Sequence, residues 1–223
     1  MATLAVEGLS GTGFGPVGLE VGAGRCTGLA GHSGSGKSQI LRAIADLEPS
    51  EGRVRLDGRD RTEWPAPQWR CRVALLPAEP QWWATRVDDH FAQGLPQEWL
   101  ERVGLPTSTA EREVARLSTG ERQRLALLRV MVMRPEVLLL DEPTSNLDSG
   151  SEQRVEDMVA EYRAASGAAV LWVSHDEAQL NRVAECSYRV HIGRLGERCG
   201  EPVAEEPSDR VERKAAGSGG GGA

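Results

Sequence analysis

The chain has 223 residues, 39% of them hydrophobic and only 4% aromatic, with a formal net charge of -7 and a pI of about 5.3. That is enough apolar content for a core and bounds the protein to one ordinary α/β domain, with room for a small insertion. The acidic balance argues against nucleic acid as the main partner, and no apolar run is long enough to span a bilayer.

Met1 to Ser10 holds no basic region followed by an apolar stretch, so no signal peptide is expected. Thr3 to Val6 and Val17 to Val21 read as short strands, and Cys26 to Ala30 as a buried strand ending at a glycine-rich turn. From Lys37 the pattern becomes helical, with Ile40, Leu41, Ile44 and Leu47 at 3.6-residue spacing. Gly52 to Leu56 alternates as a strand and closes at Asp57-Gly58, and Val73 to Leu76 is another strand, ended by Pro77. Residues 82–134 differ in character: they hold Trp82, Trp83, Phe91 and Trp99, several turn residues, and then a helix predicted over Glu121 to Met133. This segment is expected to be a helical insertion. Val137 to Leu140 is a buried strand, Ser151 to Ala165 an amphipathic helix, and Ala168 to Val173 another buried strand. Asp176 to Ala184 is helical, and a hairpin is expected from Tyr188 to Leu195. Strands alternating with helices imply a mainly parallel sheet covered on both faces. Residues 1–199 are expected to form one domain. Residues 200–223 are charged, contain proline and end in a glycine-rich run, which reads as a disordered tail with a linker at its end. The four cysteines are scattered with no C-x-x-C pair, so reduced thiols are expected rather than a zinc site or disulfides.

Gly31-His32-Ser33-Gly34-Ser35-Gly36-Lys37-Ser38 matches G-x-x-x-x-G-K-[ST] in full, after a strand and before a helix. Glycines let successive backbone N–H groups curl around phosphate oxygens, and the helix N-terminus adds positive potential there. Lys37 is expected to reach the β- and γ-phosphates and the Ser38 hydroxyl to ligate Mg²⁺. The chain has 24 arginines and two lysines, Lys37 and Lys214, so Lys37 is the single lysine of the expected folded body. Arginine cannot replace a compact ammonium at a tight site. Gln39 stands where many such loops carry a second hydroxyl, and its amide can also donate to a phosphate; His32 reads as exposed loop. Val137 to Leu140 then runs into Asp141 and Glu142. An acidic pair at the end of a core strand suits Asp141 as a Mg²⁺ holder and Glu142 as the base polarising an attacking water.

Leu117-Ser118-Thr119-Gly120-Glu121 precedes Asp141 by 21 residues counted from Gly120; Ser145 to Asp148 follows Glu142 closely, and Ser174-His175-Asp176 ends the next strand. With the phosphate loop and the acidic strand, these five motifs, in order over about residues 3 to 195, resemble the ATP-binding-cassette (ABC) ATPases. Leu117 to Glu121 looks like that family's signature loop, Ser145 to Asp148 like its D-loop and His175 like its switch histidine. The resemblance implies an α/β P-loop NTPase fold: a RecA-like core with a mainly parallel sheet, an N-terminal antiparallel β region and an inserted helical subdomain at about 82–134. It implies ATP with Mg²⁺, hydrolysis, and a homodimer in which Ser118 and Gly120 of one cassette cap the ATP held by the other. It implies an integral-membrane permease as partner, a cytoplasmic position on the inner face of the plasma membrane, and no nucleic acid. A soluble ABC protein acting on nucleic acid or ribosomes is the alternative. The compact chain and the segment Ala169 to Asp176 are similar to the short iron-export type.

The chain departs from the family at several positions. Thr119 and Glu121 stand where glycine and glutamine are usual. Ala78 occupies the place of the Q-loop glutamine in Leu75 to Gln81, with Glu79 or Gln81 as substitutes. Phe14, the only aromatic of the first sixty residues, is the candidate to stack on adenine; a small local cluster is the other reading. Trp82 and Trp83 are expected mainly to pack in the helical insertion, with one of them alternatively lining the groove that receives the permease.

Overall fold

The computed structural model describes residues 3–191 and 193–199. The expected disordered tail, residues 200–223, lies outside them.

Two sheets organise the chain. The first is antiparallel, in the order β2(Phe14–Val21), β1(Leu4–Gly11), β4(Glu51–Leu56) and β5(Arg59–Asp60). The second has six strands in the order β10(Arg194–Cys199), β9(Cys186–His191), β3(Cys26–Ala30), β8(Ala169–Ser174), β7(Val137–Asp141) and β6(Val73–Leu76). All its pairings are parallel except β9 with β10. Every residue of β3, β7 and β8 is buried. Central parallel strands are covered on both faces, which is why these segments read as unbroken apolar runs rather than alternating ones.

Alternation along those strands sorts two cores. Leu138, Leu140, Val170 and Trp172 face one cluster together with Leu125, Leu128 and Val155. Val137, Leu139, Leu171 and Val173 face the other, with Ile40 and Leu41 of α1(Lys37–Ile44) and Leu4 and Val6 of β1. The first cluster draws on α4(Thr119–Met131) and α5(Ser149–Ser166), and the second joins the two sheets. The period of two thus places α1 and the antiparallel sheet on one face and the helices on the other.

The segment between β6 and β7 contains α3(Gln97–Arg102), α4 and three 3-10 turns. α2(Ala66–Arg72), just before β6, and α3 escape sequence reading because each is under two turns long and follows a proline (Pro65, Pro96). α4 begins two residues earlier than its periodicity suggests, since Ser118 caps it, and it ends before Arg134, whose φ is +51°. The C-terminal hairpin is longer than expected, because β9 also pairs with β3. α6(Glu177–Val183) follows β8 directly, capped by Asp176.

The expectation that both tryptophans pack inside the insertion is corrected. Trp83 is 72% exposed, and Trp82 is partly buried. Arg129 lies over both rings, at 4.6 and 4.8 Å, and desolvation lowers its pKa. Beneath them, His90 Nε2 accepts from the Trp83 and Ala84 N–H groups. Cys26 is buried, which pushes its thiol up to about 12, and Cys71 is exposed. Cys26, Cys71 and Cys186 carry free thiols. Among the described residues no helix is long and apolar enough to cross a membrane.

Candidate functional site

The loop after β3 turns into α1 at Gly36, whose φ of +99° is a left-handed conformation that only glycine adopts without strain. At the start of the loop, a Cβ on Gly31 would lie 2.7 Å from the Val190 carbonyl oxygen and 2.9 Å from Ser35 Oγ. β9 therefore presses on the loop, and the Gly193 N–H donates to the Ser35 carbonyl at 2.9 Å. The loop is fixed by the sheet beneath it as well as by its own sequence.

The C-terminal ends of β3, β7 and β8 converge on one cavity of about 840 Å³. Its wall is the whole loop, including Gly31, Ser33, Gly34, Ser35 and Gly36, continuing through Lys37, Ser38 and Gln39. Asp141 and Glu142 enter from β7 and His175 from β8. β8 lies between β3 and β7, so Glu142 and His175 come from neighbouring strands. Glu142 Oε2 and His175 Nδ1 are 2.9 Å apart. Glu142 has a φ of +48°, a left-handed value that costs a non-glycine residue about 1–2 kcal/mol. Its N–H donates to the Val173 carbonyl and its own carbonyl accepts from Ser145, which ties the strained residue on both sides.

Lys37 is 7% exposed and donates to the carbonyls of Gly31 at 2.6 Å and His32 at 3.0 Å. Burial lowers its pKa, and the carboxylates of Glu142 and Asp141 oppose that shift. A buried lysine thus stands beside two carboxylates in a cavity walled by the glycine-rich loop. That is the donor set for a polyphosphate carrying a divalent cation. No cluster of three or more His, Cys, Asp or Glu side chains suited to a metal occurs among the described residues. Oxygen donors lining the cavity beside the loop include the Ser38 hydroxyl and the Asp141 and Glu142 carboxylates. This sparse set fits Mg²⁺, which keeps waters and substrate phosphates in its shell.

Three expected residues are not brought to this cavity. Phe14 is 6% exposed and belongs to the core shared by the two sheets, its ring against Gly11. The structure places Phe14 in the local cluster, beside Gly36 of the loop, and not among the cavity's lining residues. Ser118 and Gly120 lie at the start of α4, with Ser118 exposed. A Cβ on Gly120 would sit 3.1 Å from Leu147, so this loop rests on the segment after Glu142. Ala78 lines the cavity, whereas Glu79 and Gln81 do not. Ser145 of the D-loop-like segment lines it, and sequence reading missed Arg42, Glu177 and Arg189, which also line it. Arg42 is one helical turn beyond Ser38 and was legible from the period; Arg189 arrives through the β3–β9 pairing, which nothing local announces.

Glu121, where the resembled family usually has glutamine, closes a cap and also meets an arginine. Ser118 Oγ accepts from the Glu121 N–H at 3.1 Å, and Glu121 Oε2 accepts from the Ser118 N–H at 2.7 Å. Its other oxygen meets Arg112 at 2.8 Å. Partial burial raises the Glu121 pKa, but the Ser118 N–H, the Arg112 guanidinium and the Ser118 hydroxyl outweigh it, and the net shift is downward. A carboxyl depressed by folding contributes stability that is full above its unfolded value, about 4.3, and lost as pH falls through the lower folded value. Glu121→Gln is therefore expected to cost no more than about 1 kcal/mol at neutral pH. Thermal denaturation across pH checks this: the gap to wild type should close on acidification, and a pH-independent gap would remove the charge from the account.

The ABC transporter family matches residues 14–145. The chain is 37% identical over 210 residues to the Fe(3+) ions import ATP-binding protein FbpC of Streptomyces coelicolor, covering 86% of this chain and 59% of that one. It is 32% identical over 182 residues to the probable iron export ATP-binding protein FetA of Escherichia coli, covering 76% of this chain and 81% of that one. A solved structure described as the ATP binding subunit of an ABC transporter superposes with a TM-score of 0.79 at 22% identity, over 87% of this chain and 88% of that one, a likeness of fold. The family match over more than half of the chain and these relatives lead to one conclusion: the chain belongs to the ABC transporter family.

Proposed function

We propose that this chain is the ATP-binding and ATP-hydrolysing subunit that energises an ABC transporter by ATP-driven, head-to-tail dimerisation. One observation carries the reading: a single cavity gathers Lys37, Asp141, Glu142 and His175, while the Ser118 loop stands exposed and away from it. A second copy turned head-to-tail would supply its Ser118 and Gly120 to the open side of the nucleotide. α4 is long enough for its N-terminal N–H groups to meet a γ-phosphate.

In this mechanism the loop amides and Lys37 hold the β- and γ-phosphates. Ser38 and Asp141 are the residues that would hold Mg²⁺, which neutralises phosphate charge when bound. Glu142 accepts a proton from the attacking water, and His175 fixes the Glu142 carboxylate and contacts the γ-phosphate. Loss of that phosphate removes the adhesive between the two copies, so the dimer opens in a ligand-driven two-state cycle. Residues 82–134 serve as the helical subdomain, whose exposed Trp83 faces an integral-membrane permease. The cassette then works on the cytoplasmic side of that membrane.

Mixing two inactive variants tests the dimer. Lys37→Arg disables the loop, and Ser118→Arg disables the cap offered to the partner. In a mixed dimer one site combines both lesions and the other has neither. An equimolar mixture is therefore expected to recover about a quarter of wild-type turnover, since half the dimers are mixed and each has one intact site. No recovery at any ratio would reject the head-to-tail arrangement.

A further inference from the structure

A buried polar network lies behind the catalytic turn, outside the cavity. Gln179 of α6 is 2% exposed. Its Nε2 donates to Thr144 Oγ1 at 2.7 Å and lies 3.0 Å from both Glu152 Oε1 and Glu156 Oε1 of α5. Its Oε1 accepts from Trp172 Nε1 at 3.3 Å. Arg182, one turn further along α6, closes the network on the same two carboxylates at 2.8 and 2.9 Å. The surroundings fix the amide orientation: carboxylates can only accept and an indole N–H can only donate.

Thr144 is 8% exposed and sits inside the turn from Glu142 to Ser145. Its carbonyl accepts from the Leu147 N–H, and Leu147 supports Gly120. The same stretch of chain that carries His175 carries Gln179 four residues later. His175 reaches Glu142, and Gln179 reaches Thr144. A strained residue persists only where its surroundings over-determine it. Glu142 at φ +48° is held on the strand side by Val173 and, two residues on, by a threonine whose hydroxyl is pinned to α6.

We propose that Gln179 is a positioning residue for ATP hydrolysis: by pinning Thr144 it holds the turn that aims the Glu142 carboxylate at the water beside His175. The inference rests on the role given to Glu142 above. The residue type matters. Glutamate at this position would be isosteric but would add a third carboxylate to Glu152 and Glu156, with only Arg182 to balance them, and would replace the amide N–H that now donates to Thr144 and faces both carboxylates by an acceptor. Burying such a charge displaces the side chain or its neighbours.

The test uses Gln179→Glu and Thr144→Val, the second because it removes the hydroxyl without changing shape or charge. Each should lower kcat roughly tenfold, within the ~10²-fold that a misplacement of about 1 Å costs, with KM for ATP within about twofold of wild type. Each is then combined with Glu142→Gln. A residue acting through Glu142 has little further effect once that carboxylate is gone, whereas a merely structural lesion multiplies with it. No further loss in the double variants is the expected result. Multiplicative loss, a KM change equal to the kcat change, or wild-type turnover in Thr144→Val would overturn the proposal. If Glu142→Gln alone turns over like wild type, it is the base assignment that fails, which separates the two readings.

Discussion

Lys37→Arg is expected to abolish most ATP turnover, by about 10²–10³-fold or more, the loss seen when one preorganised donor to a developing charge is removed. The same substitution would be harmless over most of a chain that carries 24 arginines. The difference is space. Lys37 is 7% exposed, its ammonium within 3.0 Å of two loop carbonyls and beside the Glu142 and Asp141 carboxylates. A guanidinium is planar, wider and carries five donors in a fixed fork, so it cannot take the ammonium's place between those carbonyls without displacing them. It also gains nothing from the flanking carboxylates if it stands outside. Steady-state ATPase assays, with thermal unfolding to show the fold intact, decide the matter. Near-normal turnover would undo the assignment of this loop as the triphosphate site.

Glu142→Gln is expected to lower turnover by about 10²–10⁴-fold while nucleotide affinity is kept. The amide preserves shape, so the strained φ of +48° and the backbone bonds to Val173 and Ser145 persist. What disappears is the proton acceptor 2.9 Å from His175. Substrate can still bind, because the loop, Lys37, Ser38 and Asp141 are untouched. The expected signature is therefore a collapse of kcat with little change in KM, the mark of an interaction made in the transition state. If wild type and variant hydrolyse ATP equally slowly, the chain binds nucleotide without using Glu142 as a base.

The sequence by itself determined the local chemistry. The eight residues from Gly31 to Ser38 specify a phosphate loop because glycine placement, a lysine and a hydroxyl are local requirements, and each is met within one turn of chain. The runs at Cys26–Ala30 and Val137–Leu140 read as buried strands because burial on both faces leaves no polar alternation to confuse them. The start of α4 was less legible: periodicity puts it at Glu121, and the four-residue capping box from Ser118 to Glu121 moves it to Thr119. Only the tertiary structure decided how distant residues meet. Strand order brings Glu142 and His175, 33 residues apart, to 2.9 Å across adjacent strands. The β3–β9 pairing delivers Arg189 to the cavity, and the junction between the sheets takes Phe14 into the core. Gln179 looks like any polar helix residue until α5 and α6 close over it and make it a buried link to Thr144. Spacing along a chain fixes which groups one turn of helix or loop can bring together; which strand lies beside which is set by burial shared among segments far apart in sequence, and no single segment records it.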